Sequence, residues 1–97
     1  MILGIMDERK AVETMGKLRE LPNISTIIEA KLLRAGIDTP EKLIKLGSRE
    51  AFRRIKRQDE TACVNMLCAL EGAVRGVRWF SMTEQDKKAL REFYKTL

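Results

Sequence analysis

Ninety-seven residues are enough for one domain that buries its own core without metal or disulfide support. The absence of histidine excludes Ser-His and Cys-His catalytic arrangements and the usual His-containing zinc sites. Nineteen Lys and Arg against fourteen acids leave a net charge of +5, which suits nucleic acid or an acidic partner without establishing either.

From the N-terminus, Met1 to Met6 is apolar but lacks the basic and long hydrophobic regions of a signal peptide. Exposed apolar segments are often interfaces, so this one predicts a homodimer. Asp7 can cap a helix in which Ala11, Val12, Met15 and Leu18 fall at helical spacing. Leu21-Pro22-Asn23-Ile24-Ser25 is a break: Pro22 lacks an amide proton, Asn23 tolerates the left-handed region, and Ser25 can cap the next helix. Ile24, Ile27, Ile28, Leu32 and Ala35 mark the core face of that helix, which ends at Gly36, with Glu29, Lys31 and Arg34 off that face.

Thr39 as cap with Pro40 at the first helical position starts a short helix with Leu43, Ile44 and Leu46 inside, stopped by Gly47. Ser48 is expected to cap the next, with Ala51, Phe52 and Ile55 inside and Arg49, Arg53, Arg54, Lys56 and Arg57 outside. Thr61 to Val77 reads as the central helix; of the nine residues from Ala62 to Leu70 only Asn65 is polar. A helix apolar on nearly all sides is surrounded by others. Thr61 is its expected cap and Gly76 lies near its end. Cys63 and Cys68, about 140° apart on a helix, cannot bond each other and read as small buried hydrophobes. Glu71 has Arg75 four residues on as an ion-pair partner; the other reading is a buried carboxylate that holds a loop by its amides. Gly72 and Gly76 suggest close packing of another helix or a frayed end, and Trp79 reads as a core plug, with base stacking as the alternative. Thr83 caps a last helix with Glu84 and Asp86 in its first turn and Ala89, Leu90, Phe93, Tyr94 and Leu97 as its apolar positions. The expected fold is all-α, five or six helices around a buried central one, with free thiols in the cytoplasm and no membrane span.

Leu21 to Leu46, LPNISTIIEAKLLRAGIDTPEKLIKL, resembles a helix-hairpin-helix element (also SAM-like in its packing) of the form L-P-G-I-G, helix, A-G-I, T-x-x-x-L. That resemblance implies a hairpin whose backbone amides meet a DNA phosphate, an anion site of the kind helix N-termini provide. Asn23 and Ser25 stand where the motif has glycines. More specifically, AGIDTPEKLIKLG with Ala51-Phe52-Arg53-Arg54, and ALEGAVRGVRW ending at Trp79, resemble the C-terminal domain of the TfoX/Sxy competence regulators. Larger members of that family carry an N-terminal α/β domain. Here residues 1–17 are read as a helical extension and residues 18–97 as the TfoX C-terminal-like domain.

The resemblance implies a non-enzymatic bacterial module that regulates DNA uptake and transformation genes, with DNA phosphates or a transcription-related protein as partner. The residues assigned to DNA are Asn23, Ser25 and Thr26 at the hairpin and Arg49, Arg53, Arg54, Lys56 and Arg57 on the basic helix. No catalytic group, metal or cofactor is expected. The competing reading is a self-associating protein-interaction module with no nucleic-acid affinity.

Overall fold

The computed structural model describes residues 17–97. The Ala11–Met15 helical pattern, the Met1–Met6 segment behind the dimer expectation, and the extension apart from its last residue lie outside the described residues. Among the described residues five α-helices follow one another: α1 (Thr26–Arg34), α2 (Pro40–Leu46), α3 (Ser48–Gln58), α4 (Val64–Arg75) and α5 (Glu84–Lys95). Short 3-10 turns occupy Leu18–Glu20 and Trp79–Ser81, and no strand occurs among the described residues. The fold is all-α.

Three helices begin where their capping residues require. The Ser25 hydroxyl accepts the Ile28 amide at 3.2 Å, and Thr39 accepts Lys42 N–H at 3.1 Å with Pro40 behind it. Thr83 and Asp86 cap each other reciprocally at the start of α5. Two expected caps are otherwise employed. Ser48 is the first residue of α3, with Gly47 before it, and its buried hydroxyl donates to Glu71 at 2.5 Å. Thr61 lies before α4, which starts only at Val64, and its hydroxyl turns back to Asp59.

α4 is enclosed on every side from Leu67 to Ala73, and packs most extensively on α3 and next on α5. Around it Leu18, Leu32, Leu43, Phe52, Ile55 and Leu90 are fully buried. Cys68 is in this core, whereas Cys63, just ahead of α4, is exposed rather than buried.

Several other expected core residues face outward, Ala89 and Leu97 near the C-terminus among them. On α1, Glu29 is buried with Arg19 of the first 3-10 turn 3.2 Å from its carboxylate, and Ile27 on the far side is 68% exposed. α2 buries Leu43, and Ile44, one residue round the helix, faces solvent. Trp79 is 48% exposed; Met82, three residues later, fills the core instead.

The end of α3 is tied to α1 by Lys31 and Asp59, and Asp59 also accepts the Thr61 amide at 3.0 Å. The Lys31 ammonium first, then the Thr61 hydroxyl and amide, hold the Asp59 carboxyl at about 2, well below the usual range. A depressed folded-state pKa contributes stability that is present above about pH 4 and lost as pH falls through about 2. Asp59→Asn is therefore expected to be less stable at neutral pH and to show a flatter decline between pH 4 and 2, measured by urea melts across that range.

Candidate nucleic-acid interface

The hairpin is built by Asn23, whose φ of +70° places it in the left-handed region that Asn tolerates better than most residues. Its side chain is not directed to solvent. The amide nitrogen donates to Val77 O at 2.9 Å and to Ala69 O at 3.4 Å, while its oxygen accepts the Trp79 amide at 3.1 Å. Asn23 thus clasps the C-terminal end of α4, whose last turn is closed by Gly76 at φ +76° and by Val77 N–H to Gly72 O. Gly72 gives the clasp its room: a Cβ there would lie 2.4 Å from the Asn23 amide nitrogen and 2.7 Å from Val77 O. The close packing at Gly72 is against a side chain and a carbonyl, not another helix.

Ser25 and Thr26 are exposed beside this clasp. Ser25 accepts a capping bond, which leaves its hydroxyl proton free to donate to an anion. The hairpin borders a depression of about 380 Å³ flanked by Arg19 and Arg78. Its neighbour, about 350 Å³, shares Asn23 and Arg78 and adds Asn65, Trp79 and Phe80.

The cations of α3 divide by role. Arg49 and Arg53 lie over the Phe93 ring of α5 at 5.7 and 5.4 Å. Arg53 and Arg54 pair with Glu50 at 2.9 and 3.2 Å, and Arg54 above all holds the Glu50 carboxyl below its ordinary range. Lys56 is committed to the fold: it donates to Glu60 O and Ala62 O and lies over Tyr94. Arg57 is exposed. Solvent-facing ion pairs such as those of Glu50 contribute little to stability, so a phosphate can replace that carboxylate at little cost. Asn23 is thus anchored to the end of α4, and Arg49, Arg53 and Lys56 to α5.

Glu71 lies beneath the arginine face. Burial raises its carboxyl, and the Ser48 hydroxyl with Arg75 outweighs that, leaving it below the usual range. Arg75 bridges it at 2.6 Å to Asp86 at 2.9 Å, so the expected i,i+4 pair is present. The same carboxylate is buried, held by a hydroxyl rather than by loop amides.

No sequence motif marks Arg19, Arg78, Asn65 or Phe80 as contact residues. The one signal is Asn65, the lone polar residue in the apolar run; its surroundings depend on where the chain after Gly76 goes.

Residues 14–94 match the TfoX C-terminal domain family. The chain is 28% identical over 92 residues to protein Sxy of Escherichia coli (strain K12), covering 95% of this chain and 44% of that protein. It is 28% identical over 75 residues to DNA transformation protein TfoX1 of Aliivibrio fischeri (strain ATCC 700601 / ES114), covering 76% of this chain and 36% of that protein. The chain therefore spans less than half the length of these curated relatives. Two crystal forms, triclinic and tetragonal, of a Listeria monocytogenes protein of unknown function superpose with a TM-score of 0.79 at 47% identity. Each match covers 81% of this chain, and 90% and 96% of the respective Listeria chains.

Proposed function

Because this chain belongs to the TfoX C-terminal domain family, we propose that it is a non-enzymatic regulatory module of the competence-regulator type that grips DNA through its phosphates. The observation that carries the reading is the cationic face of α3, where Arg49 and Arg53 are held outward over Phe93 and Arg57 stands exposed. Guanidiniums ordered on an aromatic ring lose less side-chain entropy when they meet a phosphate. The hairpin, with Ser25 and Thr26 at the start of α1, supplies a second phosphate contact. Phosphates carry no base information, so the grip is sequence-tolerant. A relative bearing the name DNA transformation protein is consistent with this role.

Fluorescence anisotropy of a labelled duplex at low and physiological salt tests it. Binding is expected to be modest and to fall steeply with salt as counterions are released. Changing Arg53 and Arg57 to Ala should weaken all sequences alike and lower the salt slope by about one for each phosphate no longer neutralised. Ser25→Gly should bind as well or better, since Gly in place of a Ser cap costs only about a few tenths of a kcal/mol. No binding at low salt with protein at about 50 µM, a concentration that should reveal a nonspecific grip, would transfer the role to protein interaction, the competing function for such a module.

A further inference from the structure

The α3 cations account for a phosphate grip, but they leave unused the aromatic surface that follows α4. Trp79 and Phe80 are 48% and 64% exposed and meet edge to face, with ring centroids 6.0 Å apart. Lys87 holds the indole from α5, its ammonium 5.4 Å from the ring centroid. Asn23 fixes the backbone beneath by accepting the Trp79 amide. An exposed tryptophan oriented in this way is a ready stacking surface.

The two rings wall the cavity of about 350 Å³ that Asn65 and Arg78 complete. No carboxylate lines it among the described residues. Asn65, exposed on the first turn of α4, offers both a donor and an acceptor, the pair needed to meet the edge of a base. Arg78 and Asn23 also border the adjoining depression of about 380 Å³, where Arg78 and Arg19, the latter shared with Glu29 of α1, face the single lining carboxylate, Glu20. An aromatic chamber thus adjoins a cationic one, with an arginine common to both. The arrangement matches the two parts of a nucleotide, a flat apolar base and an anionic phosphate.

We infer that this surface binds single-stranded nucleic acid, one unpaired base entering against Trp79 and Phe80 with Asn65 at its edge while Arg78 and Arg19 hold the neighbouring phosphate. Stacking on an aromatic ring tolerates any base and needs one that is not already stacked and paired in a duplex. The site is separate from the α3 cations and stands whether or not those grip a duplex.

Trp79 is the only tryptophan in the chain, so its emission reports on this site alone. The full chain is titrated with a short oligothymidylate and, separately, with an abasic oligomer of equal length and charge. The expected result is saturable quenching by oligothymidylate, with an affinity about tenfold or more above that of the abasic strand, the contribution expected of one stacked base. Asn65→Asp should weaken the quenching several-fold; an acid in the first turn of a helix favours folding, and an unchanged helical spectrum keeps unfolding out of the result. Arg78→Gln should weaken binding of both strands. Absence of quenching, equal quenching by the abasic strand, or equal quenching by an oligoglutamate peptide would each overturn the inference. Duplex binding sensitive to Arg53 and Arg57 would persist in all three cases, so failure here is distinguishable from failure of the duplex reading.

Discussion

Leu67→Asp is expected to abolish the fold. Leu67 is fully buried in the middle of α4, within the stretch from Leu67 to Ala73 that is enclosed on every side. The change forfeits about 2 kcal/mol of apolar burial. It also places a carboxylate where no cation waits for it, at a further cost of several kcal/mol even if the group protonates. Domains of this size have about 5–10 kcal/mol in total, so the sum is comparable to the whole stability. Far-ultraviolet circular dichroism at 25 °C should show the helical signal largely gone. Leu67→Met, which nearly conserves volume, should cost less than about 1.5 kcal/mol. A melting temperature unchanged in Leu67→Asp would mean that α4 is not the centre of the core.

The second large effect belongs to the Asn23 clasp. Gly72→Ala sets a methyl group 2.7 Å from Val77 O and 2.4 Å from the Asn23 amide nitrogen. The side chain can yield, but the carbonyl belongs to the closed end of α4 and cannot move without opening it. A loss of about 2–3 kcal/mol is expected, at the upper end for overpacking by one carbon. Asn23→Ala should cost a similar amount, through its hydrogen bonds to the end of α4 and through a left-handed φ that Ala disfavours by about 1 kcal/mol. Asn23→Gly removes the same hydrogen bonds but keeps the backbone at ease, so it should fall between wild type and Asn23→Ala. Chemical denaturation of the three variants separates the two contributions. If Gly72→Ala melted like wild type, the hairpin would not be seated against α4 as described.

The helix-hairpin-helix motif that Leu21 to Leu46 resembles has glycines where this chain has Asn23 and Ser25, and the structure supplies physical reasons for both side chains. Asn23 keeps the left-handed turn and adds a clasp; Ser25 keeps the helix start and adds a cap. Each makes hydrogen bonds within the fold that a glycine, with no side chain, could not. The clasp also determines where the chain after α4 travels, and therefore that Trp79 and Phe80 emerge beside the hairpin.

The sequence by itself determined the helical class, the order of the helices and most of their ends. Those features follow from local rules: a hydroxyl before an apolar-periodic run, Pro40 at a first turn, Gly76 after a last one, and apolar spacing at Ala51, Phe52 and Ile55. The long apolar run likewise identified α4 as central, because only a surrounded helix can be apolar on nearly every side. The tertiary structure decided what spacing cannot carry. Ile27 and Ile44 satisfy helical periodicity as well as any core residue, but neighbouring elements cover only part of each apolar face. Ser48 and Thr61 have capping chemistry, but Glu71 claims the Ser48 hydroxyl from a different helix, and Asp59, two residues back, claims that of Thr61. Trp79 has the size of a core plug, yet Met82 occupies the core and a hydrogen bond to Asn23, 56 residues away in sequence, fixes the Trp79 backbone at the surface. The basic residues of α3 were legible as a cluster, and the Glu50 pairs at i,i+3 and i,i+4 are local to the helix. Which of the cations lie over Phe93 and Tyr94 depends on where α5 lies across them, a contact between segments some forty residues apart.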